Sequence, residues 1–137
     1  MKKAIYISIK PVYTKLIETG EKNYEFRNYI PKEPFDTLFV YESAPSSILK
    51  YIISIEKIIK QPDKITKKGY GNDDFNECKK FSKYAYEIKN VYKLTTPLDL
   101  KYLKDNFDFT PLQGYAYDTR YQDLTDYLNT ASKEKII

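Results

Sequence analysis

Histidine is absent from the 137 residues, and cysteine occurs once, at Cys78. These two absences exclude much chemistry. A zinc site would need carboxylates alone, a poor donor set for that metal. The usual general base at neutral pH is missing, and so is the usual partner of a serine or cysteine nucleophile. No internal disulfide can form. Any catalysis has to run on Lys, Glu, Asp, Tyr, Ser or Thr, and neither a metal nor a cofactor is expected. Arginine is nearly absent as well, with only Arg27 and Arg120. Long apolar runs are also missing. The opening "MKKAIYISIK" is too short and too interrupted for a signal peptide, and nothing later approaches a membrane span. A cytoplasmic protein away from membranes is the expectation.

What is present fits one globular domain. Apolar residues make up 42% and charged residues 31%, a normal balance for a chain with a single core. The formal net charge of +4 suits a polyanionic partner. The same composition, rich in Lys, Ile, Asn and Tyr, is what an AT-rich genome produces, so much of the lysine reads as solvated surface. The two arginines carry more weight because that composition disfavours them.

Alternation marks the strands. Ile5, Ile7 and Ile9 share one face of a first strand, Ala4–Ile9. Pro11 opens a short helix and Gly20 closes it. Asn23–Arg27 alternates again. "TLFVY", residues 37–41, reads as a central strand buried on both faces. Tyr51–Ile59 and Lys83–Leu94 follow as strands, with a polar loop at 61–72 and a short helix at 73–81 between them. Thr96 and Pro97 open a further helix. "PLQGYAYD" reads as a last strand, and Tyr121, Leu124, Tyr127 and Leu128 mark a closing helix. The sum is an α+β fold: a small mixed β-barrel of five to six strands with short helices, the first covering one end.

"GEKNYEFRNYIP", residues 20–31, raises the functional question. It sets Lys22, Glu25 and Arg27 among Tyr24, Phe26 and Tyr29. With Tyr24 and Phe26 facing the core, Glu25 and Arg27 form an outward pair contributing about 0–1 kcal/mol. With the first helix covering that face, the pair lines a cleft, and an Arg fixed by a Glu suits a phosphate or a base edge. Lys22 is either one more solvated lysine or, beside Lys10, part of a phosphate-attracting mouth. An adjacent glutamate favours its protonated form, whereas desolvation lowers its pKa. Ser43 in "YESAP" reads first as a turn residue capping its own backbone. Glu56, on an isoleucine-rich strand, needs a cationic partner or a pocket. Of the many tyrosines, Tyr102, Tyr115 and Tyr117 are available to stack on bases. Gln113 carries an amide able to read a base edge.

The ordered set "SIKP", "GEKNYEFR", "VYESAP", "IISIEKI", "YAYEIKNVYKL" and "PLQGYAY", across residues 4–117, resembles the prokaryotic ASCH domain of the PUA-like superfamily. The resemblance implies a single domain over residues 1–137, with its core at about 4–117 and a C-terminal helical extension at about 118–137. It implies a PUA-like barrel with a cleft beside the first helix and a ligand that is RNA or a modified nucleotide. It further implies binding residues at Lys10, Lys22, Glu25, Arg27, Ser43 and Gln113, and roles in RNA metabolism or regulation linked to translation or transcription. One branch of the family deacylates N4-acetylcytidine with a Lys, a Thr three residues later and a Glu on a later strand. Here the matching positions hold Lys22, Glu25 and, loosely, Glu56. Glu25 in the threonine position argues against that reaction. Two rivals to a binding module stay open. One is a hydrolase, amidohydrolase or ribonuclease, running on Lys22, Glu25 and Glu56. The other is a phage or mobile-element regulator that binds a protein through its C-terminal helix.

Overall fold

The computed structural model describes residues 2–137. In chain order the elements are β1 (Lys3–Ile9), α1 (Pro11–Thr19), β2 (Tyr24–Arg27), β3 (Phe35–Glu42), β4 (Ile48–Lys60), α2 (Asn72–Asn76), β5 (Tyr84–Asp99), α3 (Leu100–Phe107), β6 (Tyr115–Tyr117), a 3₁₀ turn (Asp118–Tyr121), α4 (Gln122–Thr130) and β7 (Lys133–Lys135). The strands form one mixed sheet ordered β2-β5-β4-β3-β1-β6, with β7 added to the edge of β5. Only β1 and β3 run parallel. Register shifts in β4 at Leu49/Tyr51 and Ile55/Ile58 bend it, as bulges do, and the sheet curls into a half-barrel.

Two cores lie on the two faces of the sheet. Ile5, Ile7, Ile9, Leu38, Val40, Tyr51, Ile53 and Tyr86 fill the concave side, and Ile17 of α1 closes that cluster at one end. Tyr6, Phe39, Tyr41, Leu94, Leu103, Leu124 and Leu128 form the other core, under α3 and α4. Leu38, Phe39, Val40 and Tyr41 are therefore buried on both faces, as their missing alternation indicates. Gly20 ends α1 at φ 86°, a left-handed conformation that favours glycine.

Three boundaries differ from the pattern reading. β5 continues through Pro97 to Asp99, where the Asp99 carboxylate accepts the Tyr102 N–H and starts α3. An aspartate cap three residues on outcompetes Thr96. α2 stops at Asn76, because Cys78 turns to φ 57°. β7 is short and wholly polar in "KEK", so it carries no apolar alternation. The backbone of β5 orders it, and the Val91 N–H donates to Ile137 O at 3.3 Å.

Candidate functional site

β2 decides where the charges go. Glu25 pairs across the strands with Tyr86, and Phe26 with Ala85. Directly opposed residues share a face, and Tyr86 belongs to the concave core. Glu25 and Arg27 therefore turn inward. Tyr24 and Phe26 go to the outer side, where Phe75 of α2, Ile65 and Ala85 form a third small cluster. This reverses the arrangement in which Tyr24 and Phe26 face the barrel core. The satellite cluster, built by a helix 50 residues downstream, supplies the apolar surface that those two rings need.

The outcome is a buried charge network. The Glu25 carboxylate accepts from Arg27 Nη2 at 2.6 Å and Nε at 3.1 Å, and pairs with Lys22 Nζ at 3.1 Å. Side-chain exposure is 4% for Lys22, 8% for Glu25 and 17% for Arg27, so this is not a surface ion pair. Arg27 Nη2 also donates to Ser8 O at 3.0 Å. Ser8 lies just past the β1 residues paired with β6, and so one guanidinium spans the open side of the half-barrel. Lys22 Nζ donates to Tyr24 O at 2.6 Å. Burial pushes the Lys22 ammonium below the usual lysine range, with Lys80 and Arg27 adding to the effect, despite the pull of Glu25. Burial alone would raise the Glu25 pKa, but Lys22 and Arg27 together hold it below the ordinary range. Desolvation and the pull of Glu25 thus oppose each other at Lys22, and desolvation is the larger effect.

A cavity of about 170 Å³ opens over this network, lined by Tyr13, Lys22, Glu25, Phe26, Tyr70, Lys80 and Ser82. Lys22 and Lys80 both stand over the Phe26 ring, at 4.5 and 4.6 Å from its centre. Tyr13 and Tyr70 pack together at 6.1 Å on the mouth. The loop at 61–71 is fixed there by Asn72, whose amide donates to Asn23 Oδ1 and Lys67 O, and by the Tyr70 N–H on Glu21 O. Gly71 sits at φ 80°, and a Cβ there would lie 2.7 Å from Lys80 Cε and 2.9 Å from Phe26 Cε2. Glycine is therefore needed for the cavity wall as well as for the turn.

The other expected residues divide. Lys10 is exposed at the N-cap of α1. Ser43 is half-buried beside it, its N–H donating to Ile9 O at 3.0 Å. Gln113 is exposed in the loop before β6, next to Leu112, whose N–H donates to Ser8 Oγ. None of these three lines the cavity. Glu56 does not join them. Its side chain is 53% exposed and pairs with Lys89 at 3.5 Å on the surface, because alternation from Ile53 and Ile55, which belong to the concave core, puts it on the other face of β4. Tyr115 stacks on Tyr29 at 5.2 Å, a packing role. The pattern reading missed Tyr13, Phe26, Tyr70, Lys80 and Ser82 as site residues. The one local signal was "GYG" at 69–71, a tyrosine between two glycines in a polar loop.

Among the described residues no helix is long and apolar enough to cross a membrane, and no cluster of metal-ligating side chains occurs. No protein-family model matches the chain, and no curated protein does. Solved structures do. An ASCH protein from Zymomonas mobilis is 19% identical with a TM-score of 0.72, and the match covers 95% of this chain and 96% of that one. A serine-to-alanine variant of it covers 96% and 98% at the same identity and score, and a tyrosine-to-phenylalanine variant covers 96% and 100%. Likeness at that identity speaks for the fold, and it agrees with the motif order read from the sequence. The chain has the fold of that ASCH protein, an α+β half-barrel.

Proposed function

We propose that this chain is a small RNA- or nucleotide-binding module of the ASCH type, acting in RNA metabolism or in regulation linked to translation or transcription. The observation that carries the reading is Lys22. An ammonium 4% exposed is costly to hold, yet this one lines an open cavity beside a second lysine. A perturbed, desolvated charge with a specific charge partner in a cleft is a candidate functional group. Lys22 and Glu25 line the cavity with Arg27 holding Glu25 from behind, Tyr13 and Tyr70 supply stacking surface, and Lys10, Ser43 and Gln113 extend the surface for a neighbouring nucleotide. Titration of a short single-stranded RNA at low and moderate salt tests this. The expected result is modest affinity that falls with salt, by roughly 0.7 in log–log slope per phosphate contacted. No binding at low salt, or binding indifferent to salt, would overturn it.

One observation favours a second reading, a hydrolase of a modified nucleoside or of RNA. A lysine with a lowered pKa in a small cavity is the state in which an amine works as base or nucleophile. Product formation that disappears in Lys22→Ala would put this reading first.

A further inference from the structure

The charge inside the cavity is not balanced. Lys22 and Lys80 stand over one phenyl ring at 4.5 and 4.6 Å, so their ammonium groups lie within two such distances of each other. Lys80 helps push the Lys22 ammonium down, as a like charge nearby does. The only carboxylate on the wall is Glu25, and Arg27 already grips it with two hydrogen bonds. Lys22 pairs with the same carboxylate at 3.1 Å, so three cations, Lys22, Arg27 and Lys80, share one anion, and the site keeps an excess of two positive charges. Lys80 forms no ion pair among the described residues, resting instead on Phe26 and, at 5.8 Å, on Tyr70. Ser82 adds a hydroxyl to the same wall.

The aromatic surface is arranged the other way round. The ammonium groups occupy Phe26, so no base can stack freely at the bottom. Tyr13 and Tyr70 are 37% and 46% exposed at the mouth, with the ammonium groups farther from their rings, at 5.8 Å each, than from Phe26. At about 170 Å³ the cavity is smaller than the roughly 300–1,000 Å³ that whole drug-sized ligands occupy. It accommodates one part of a nucleotide.

We propose that this part is a phosphomonoester, inserted between Lys22 and Lys80 with its base turned outward against Tyr13 and Tyr70. The proposal rests on the nucleotide-binding reading and adds to it the charge and the direction of the ligand. A phosphomonoester carries about −1.5 to −2 at neutral pH, which matches two ammonium groups. An internal phosphodiester brings a single charge, and a nucleoside brings none. Both a free mononucleotide and the terminal phosphate of an RNA present this chemistry.

Calorimetric titration of the full chain separates the possibilities. The probes are a nucleoside, its 5′-monophosphate, its 3′-monophosphate, and a short single-stranded RNA with each end either phosphorylated or free. The expected result is that a phosphorylated probe binds at least about ten-fold tighter than its unphosphorylated counterpart. A preference among the mononucleotides assigns a free nucleotide, and a preference confined to the oligonucleotides assigns an RNA end. Lys80→Ala, which breaks no ion pair, should erase the preference while leaving the melting temperature unchanged. Tyr70→Ala should weaken nucleoside and monophosphate by the same factor. Equal binding of phosphorylated and unphosphorylated probes would overturn the phosphate assignment and leave the nucleotide-binding reading standing. No binding by any probe would overturn both.

Discussion

Glu25 holds Arg27 through two hydrogen bonds, at 2.6 and 3.1 Å, in a place where 8% of the glutamate side chain reaches solvent. The pair stands at the open side of the half-barrel, and its second cation, Lys22, is on the floor of the cavity. One carboxylate therefore serves both the fold and the candidate site.

Removing that carboxylate leaves two buried cations without a counter-charge. Glu25→Ala is expected to cost about 3–5 kcal/mol, read from the midpoint of urea unfolding. Glu25→Gln keeps the volume and should be milder. A loss under about 1 kcal/mol in the alanine variant would show that water reaches the network freely.

Arg27→Ala removes the bridge from β2 to the carbonyl of Ser8 as well as the partner of Glu25. An unsatisfied buried group costs about 1–3 kcal/mol, and that loss of stability is the expected outcome. This is more than an exposed arginine would cost. Arg27→Lys should recover only part, because one ammonium cannot reproduce a planar fork. Full stability in the alanine variant would exclude the clamp.

Stability should depend on pH at the acid end. Three glutamates have folded pKa values below the ordinary 4.5. Glu18 is lowered first by the Tyr51 hydroxyl. In Glu25 the pull of Lys22 and Arg27 overcomes the opposing effect of burial, and in Glu87 Lys67 does the same. A depressed carboxylate contributes stability that is fully present above its unfolded pKa and is lost as the pH falls through its folded value. The unfolding midpoint should therefore hold near pH 6 and fall steadily below about pH 4.5. A midpoint unchanged between pH 6 and pH 3 would contradict these assignments.

The last twenty residues are expected to be needed for folding. Leu124 and Leu128 are fully buried against the core that contains Tyr6, and the Tyr6 hydroxyl shares a 2.8 Å hydrogen bond with Thr125. Leu124→Ala should cost about 2–5 kcal/mol. A chain ending at Tyr117 should lose its cooperative thermal transition. A stable, cooperative truncated chain would make residues 118–137 an accessory.

Efficient deacetylation of N4-acetylcytidine is not expected. Glu25 occupies the position where the deacylating branch of the resembled family has a threonine, and Glu56 faces solvent with Lys89. Burial does make Lys22 a better base than a glutamate neighbour alone would allow. It still lacks the neutral hydroxyl at that position, and no histidine replaces it. Chromatography of cytidine released from the acetylated nucleoside is the check. Turnover near or above about 1 s⁻¹, abolished by Lys22→Ala, would refute this expectation.

The sequence by itself determined the elements whose signal is local. Alternating isoleucines make β1, proline and glycine bracket α1, and an unbroken apolar run marks β3 as central, because side-chain period and backbone sterics act over a few residues. It also put Lys22, Glu25 and Arg27 within six residues, close enough to stay neighbours along the chain. It could not say which face of β2 turns inward, because Tyr24 and Phe26 make an equally good apolar face. Only Phase-matched pairing with β5, together with Phe75 arriving from α2, sends those rings outward and the charges in. The same holds for the cavity wall. Lys80, Ser82 and Tyr70 lie 45 residues or more from Glu25 in the chain and carry no motif of their own. Tertiary structure alone brought them to the site and desolvated Lys22, and burial, which no local pattern encodes, is what changes the chemistry of that amine.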